Sequence, residues 1–228
     1  MLGVLRWDGA ARGVSPPEPI VIAGLPVLEV RLALGGRWEE RRVRRAGRLL
    51  ARQGVRRVLL PQGFTHRRAL SACGLAAVEP LPLYRAMAPE LTLALLAQRG
   101  VPPREACVLL CGRWAQGDLA RTARALCPRV RRLALNVEGG GEALERALCN
   151  EFGVPLWPRG GVSPHVRVRF DGAPEEGELA LSPAGTALCG LRLDAPVDHE
   201  DGVERDALLT ALWQAELLAV GSIAVKTP

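Results

Sequence analysis

The sequence predicts an α/β protein: a mostly parallel sheet with helices on both faces, a β-rich N-terminal start and a closing C-terminal helix. Two observations carry this. From Trp38 onward, short apolar runs of strand length alternate with stretches whose apolar residues recur at helical spacing. There is also an internal echo, in which "VRRVLLPQGFTHRRALSACGL" and "VRRLALNVEGGGEALERALCNEFGV" share a Val-Arg-Arg start, an apolar run, a Gly-bearing turn and an Arg/Ala/Leu helix with a Cys. At 228 residues and 48% hydrophobic, the chain can bury one large core or two small ones without disulfide staples. A division at residue 100 is expected, with 1–100 as an N-terminal α/β region and 101–228 as a second one, or one continuous domain.

The first 36 residues read as extended segments, "GVLRW", "PIVIAG" and "VLEVRLAL", separated by Gly and Pro turns, which gives an antiparallel or mixed β start. A basic helix follows from Trp38 to Gln53, with Val43, Ala46, Leu49 and Leu50 on one face and Gly54 as its stop. "RRVLL" supplies a strand, Thr65 an N-cap for a helix through Cys73, and "LAAVEP" another strand. A helix is expected over 84–99, a strand over 106–111, then the helix "GDLARTARAL", the strand "RRLALNV" and a helix over 142–151. "GVPLW", "VRVRF", "ELALS" and "LRLD" read as short strands, and the last helix as 203–218.

Charge is unevenly placed. All but one of the 30 basic residues are Arg, the exception being Lys226, a usage typical of GC-rich bacterial genomes. Residues 37–57 carry nine Arg against two Glu, whereas residues 170–206 carry ten acids against two Arg. Such lopsidedness steers a partner, or lets two segments of one chain face each other.

Several chemistries are excluded. Without an interior Lys there is neither a P-loop nor a Schiff-base lysine, nor the catalytic lysine of shikimate-type dehydrogenases. His66, His165 and His199 are too scattered for a ligand motif, no GxSxG elbow marks a nucleophile, and the histidines read as ordinary loop residues. The six cysteines form no CxxC pair; Cys107 and Cys111, about 13 Å apart if they share a strand, read as core thiols of a reducing compartment. The N-terminus lacks a signal-peptide pattern, and the apolar stretch 208–225 contains Gln214 and Glu216, so a helix ending near Gly221 is expected rather than a membrane anchor. The expectation is a cytoplasmic protein without a membrane partner.

The stretch "CVLLCGRWAQGDLARTARAL" places Gly112, Trp114 and Gly117 at the three positions of a GxGxxG turn between strand and helix. Glu138, beside Asn136, stands where an acid would close the next strand. Over about fifty residues this segment resembles the NAD(P)-binding Rossmann half of dehydrogenases. The resemblance implies a ligand phosphate at the helix N-terminus, held through Gly112, Gly117 and the middle position, with Asn136 and Glu138 near a ribose. The middle position, where backbone must approach a pyrophosphate, is Trp114. The reading is therefore a divergent Rossmann-like domain without intact catalytic machinery, which binds a small nucleotide or metabolite; no particular cofactor is indicated.

Two other features compete. Arg41, Arg44, Arg45 and Arg48 of the basic helix would let an interaction or scaffold protein grip an acidic protein partner. Nucleic acid is disfavoured, because of nine aromatics only Trp38 adjoins this run. "LDAPVDHEDG" groups Asp194, Asp198, His199, Glu200 and Asp201; it lacks an EF-hand ligand pattern, and Asp201 or a neighbour serves better as a helix cap than as a metal ligand.

Overall fold

A computed structural model describes residues 1–10, 13–33, 35, 37–153, 163–197 and 202–227, and the chain divides into two units. The first comprises Met1–Pro80 and Ala195–Ser222, the second Leu81–Asp194 and Ile223–Pro228. The division expected at residue 100 therefore falls inside the second unit, which takes the helical residues from Leu81 onward.

The first unit opens with β1 (Leu2–Asp8), β2 (Glu18–Ile22) and β3 (Leu25–Ala33). β2 and β3 form an antiparallel hairpin, while β1 lies parallel to β3 over its whole length. After α1 (Glu39–Arg52), β4 (Arg57–Leu59) pairs parallel with the other edge of β1, and α2 (Arg67–Ser71) leads to β5 (Ala76–Ala77), parallel to β4. The sheet order is β2-β3-β1-β4-β5. Of the apolar face expected for α1, Val43, Ala46 and Leu50 join Leu5, Val30, Leu32, Val55 and Val58 in the core, while Leu49 is only half-buried. α2 is shorter than expected: His66, not Thr65, takes the N-cap position, without a capping side-chain bond.

In the second unit the single helix expected over 84–99 is two, α3 (Leu81–Ala86) and α4 (Ala88–Gln98), divided at Met87 with Pro89 in the first turn of α4. A 3₁₀ turn at Pro103–Glu105 precedes β6 (Cys107–Trp114), α5 (Gly117–Leu126), β7 (Arg132–Gly139) and α6 (Gly141–Phe152). β8 (Val166–Arg169) and β9 (Leu179–Ser182) follow, then β10 (Gly185–Ala187), which is antiparallel to β9. The sheet order is β10-β9-β8-β6-β7, with β7, β6, β8 and β9 parallel. The strand expected at "GVPLW" lies, after Gly153, outside the described residues.

β11 (Arg192–Asp194) ends this stretch, and the chain returns to the first unit with α7 (Arg205–Gln214). The helix expected to run to residue 218 stops earlier because Glu216 adopts a positive φ of 59° and the Leu217 N–H turns back to the Leu212 carbonyl. The remaining apolar residues form a 3₁₀ turn at Val220–Ser222 and β12 (Ala224–Lys226), antiparallel to β11. Lys226 there pairs with Asp194. Among the described residues no helix is long and apolar enough to cross a membrane.

The architecture is thus α/β, with two mixed but mostly parallel five-stranded sheets and a two-stranded ribbon in place of one continuous sheet. Glu204, the N-cap of α7, donates its backbone N–H to the Leu60 carbonyl. Burial pushes its carboxyl above the ordinary range, against the opposing pull of Arg67 at 3.8 Å. In the window just above the ordinary carboxylate range the folded state therefore keeps a proton that the unfolded chain has released. That contribution to stability is present at lower pH and lost as pH rises through the folded-state pKa. Relative to the native chain, Glu204→Gln is expected to raise Tm at pH 7 and to change it little near pH 4, as measured by parallel thermal melts.

Candidate functional site

β6 lies at the centre of the second sheet's connectivity. The chain leaves it through α5 to β7 on one side and returns through α6 to β8 on the other. Adjacent strands whose connections diverge leave a crevice at their carboxyl ends, which is where open α/β sheets hold ligands. Here a cleft of about 620 Å³ occupies that place, lined by Cys111, Gly112 and Arg113 of β6, Asn136, Val137 and Glu138 of β7, and Arg169, Asp171 and Gly172 after β8.

The sequence-derived residues fall unevenly around it. Gly112, Asn136 and Glu138 line the cleft. Trp114 does not: it lies in register with Gly139 and is 55% exposed, its indole laid over that glycine. A Cβ at Gly139 would stand 2.5 Å from Cε3 and 3.1 Å from Cη2 of the ring. Gly139→Ala is therefore expected to dislodge the indole, seen as a shift in tryptophan emission that a Trp114→Phe background abolishes.

Gly112 is not in a turn either. The strand expected to end at 111 continues to Trp114 because pairing with β7 persists to Gly139, and the turn is Ala115–Gln116. The lack of a side chain at Gly112 permits close approach of α5, since an added Cβ would lie 2.8 Å from Leu119 Cδ1. Gly117 opens α5 with φ of 57°, a conformation that favours glycine.

The cleft's charges are largely paired. Arg113 Nε stands 3.5 Å from Glu138 Oε2, both side chains well exposed, and the Arg113 backbone N–H donates to Asp171 Oδ2 at 3.2 Å. Arg169 is held by Glu178, whose side chain is only 3% exposed, and by Glu175. Arg167 lies 3.8 to 3.9 Å from the same two carboxylates. Beneath the adjoining loops, Arg85 of α3 donates to the carbonyls of Phe170 and Leu181 and stands 3.7 Å from Asp118, which also pairs with Arg121. Asn136 and Glu138 were legible through the resemblance to a dinucleotide-binding fingerprint, which expects an acid at the end of the next strand. Arg113, Arg169 and Asp171 were not, although "RFDG" after a strand carries the turn signal that could have marked Asp171.

Cys111 is on the floor of the cleft, 4% exposed, and burial pushes its thiol above the ordinary range despite Arg169. The thiols of Cys107, Cys127 and Cys189 are raised by burial too. A thiol so placed stays protonated and is a poor nucleophile. Short exposure of the folded protein to iodoacetamide should label the exposed Cys149 and spare Cys107, Cys111 and Cys127, as read by peptide mass mapping.

Elsewhere, Arg41, Arg44, Arg45 and Arg48 are all exposed along α1. Arg41 stacks 4.3 Å from the Trp38 ring centroid, and Arg44 pairs with Glu40 at 2.6 Å. His66 Nε2 is 2.8 Å from Glu39, and His165 Nδ1 accepts the Cys107 backbone N–H. His199 and the acids Asp198, Glu200 and Asp201 lie outside the described residues; the N-cap position of α7 is held by Glu204, without a capping side-chain bond, and Asp206 is an acid of its first turn. Among the described residues no three His, Cys, Asp or Glu side chains are grouped as metal ligands. No protein-family model matches this chain, and no curated protein matches it significantly.

Proposed function

We propose that the second unit is a Rossmann-like domain that binds a small nucleotide or metabolite in the cleft at the carboxyl ends of β6, β7 and β8, without a catalytic apparatus of its own. The observation that carries this reading is the open cleft at the point where the connections of β6 and β8 diverge, with Gly112, Asn136 and Glu138 on its walls and Trp114 outside it. Its volume lies within the range of small-molecule sites, and its lining offers an amide, carboxylates and guanidinium groups to a polar ligand. The buried, protonated thiol of Cys111 supports a binding role over a nucleophilic one. Six free cysteines fit a reducing, cytoplasmic setting.

The test is a thermal-shift screen of the full chain against nucleotides and common metabolites, followed by amide shift mapping. A ligand that raises Tm and moves the amides of Gly112, Asn136 and Glu138 supports the reading, and Asn136→Ala with Glu138→Ala should abolish the effect. A screen in which nothing moves those amides removes it.

A second reading rests on α1. Its exposed Arg41, Arg44, Arg45 and Arg48 form a basic stripe fitted to an acidic protein partner. Trp38 is the one aromatic beside it and is already stacked by Arg41, so nucleic acid is the weaker match. Association that weakens with salt and is lost on replacing the four arginines by Gln would support this interface; partners unchanged in that variant would remove it.

A further inference from the structure

Resting on the second reading above, we propose that the partner of α1 is an acidic α-helix of another protein. It lies along the stripe so that carboxylates spaced four, three and four residues apart meet Arg41, Arg45, Arg48 and Arg52. At about 100° per residue these positions fall within an arc of about 60°, directly opposite the buried Val43, Ala46 and Leu50. All four are exposed, and their row is about 16 Å long at the helical rise per residue. Arg44 stands to one side of the row and is already paired with Glu40 at 2.6 Å.

Among the described residues no carboxylate is within ion-pair distance of Arg41, Arg45, Arg48 or Arg52. Exposure alone does not account for this. Arg31, Arg121, Arg124 and Arg129 are exposed too, and each has a carboxylate within 3.5 Å. Arg41 is also held in place by the Trp38 ring, whose centroid lies 4.3 Å from its guanidinium carbon. The chain thus keeps a straight row of cations on a helix whose other side is fixed in the core, and the counter-charge has to come from outside.

The same face selects the partner. A second copy carries the same net charge of +6 and is repelled. Between Glu39 and Arg52 there is no Asn, Gln, Ser or Thr to read base edges, and Trp38 is already engaged by Arg37 and Arg41, so a nucleic acid would find phosphate contacts alone. Leu49 is half-buried and flanks the row beside Arg45 and Arg52. A protein surface covers such an apolar edge, whereas a phosphate backbone leaves it wet. Two helices also share one rise per residue, so carboxylates in a four-three-four spacing stay level with the arginines along the whole row. That spacing reads alike in both directions and serves a parallel or an antiparallel partner. Each carboxylate can accept two parallel bonds from its guanidinium fork.

The probes are a stapled Ala/Gln helix with four glutamates in the four-three-four spacing, a second of the same composition with its glutamates divided between opposite faces, and a DNA duplex. Each is titrated into the full-length chain and followed by anisotropy and by the amide shifts of α1. The first peptide should bind about tenfold more tightly than the second, which can form only two of the four exposed pairs, and should weaken with salt. Arg45→Gln, Arg48→Gln and Arg52→Gln should each weaken it by about two- to fivefold, and Arg44→Gln should change little. Equal binding of the two peptides overturns the helix geometry while a basic interface on α1 stands. A duplex that binds α1 more tightly than the first peptide overturns the partner class. If no probe moves the α1 amides, the inference and the reading beneath it both fall.

Discussion

Glu178→Ala is expected to destabilise the second unit by about 3 kcal/mol, at the lower end of what removing one partner of a buried ion pair costs. The carboxylate of Glu178 is almost wholly shielded from water and takes Arg169 Nε at 2.6 Å and Nη2 at 3.1 Å. Without it the guanidinium keeps Glu175 but loses its enclosed partner, and Arg167 loses one of its two nearby carboxylates. Glu178→Gln should cost less, because the amide can still accept a hydrogen bond. Amide hydrogen exchange will locate the damage: faster exchange in β8 and β9 with β1 and β3 unchanged is the expected pattern, and uniform loss across the chain would contradict a local role.

Leu110→Ala should cost about 2–5 kcal/mol, the range for emptying a fully enclosed leucine site. Leu110 has no exposed surface and sits in the middle of β6, paired on one side with Leu135 of β7 and on the other with Val168 of β8. It shares a sheet face with Gly112, against which Leu119 of α5 packs. The same face can thus be tested in the opposite sense: Gly112→Ala adds a methyl where Leu119 leaves no room, and overpacking of that kind costs about 1–3 kcal/mol. Chemical denaturation should show both variants weakened. A tolerant Gly112→Ala would mean that α5 can draw back from the strand.

Much of the element order was legible because apolar periodicity is a local property. α1 announced itself through Val43, Ala46 and Leu50, and β7 through its unbroken apolar run before Asn136. What escaped was set by pairing at a distance. The extension of β6 to Trp114 depends on Gly139, and the early end of α7 depends on one residue, Glu216, taking a left-handed conformation. The cleft shows the same division. The resemblance to a dinucleotide-binding fingerprint pointed to Asn136 and Glu138 at the end of the next strand, whereas Arg169 and Asp171 reach the cleft because β8, distant in sequence, pairs with β6. The GxGxxG spacing also read Gly112 as a turn residue, when its role is to let a helix approach a strand.

The return of the chain to its first unit has a consequence for synthesis. α7 belongs with residues 1–80, yet roughly 125 residues separate Pro80 from Arg205, and at ordinary ribosomal rates these take on the order of 6–25 s to emerge. For that interval the nascent first sheet lacks the Glu204 N–H that bonds the Leu60 carbonyl and the apolar side chains of Leu208, Leu209 and Leu212. The second unit waits in turn for Ala224–Lys226 to complete its ribbon with β11. Both units are therefore completed only by residues from Arg205 onward, so a chain stalled or clipped before that point leaves two incomplete cores exposed to proteases and chaperones at once.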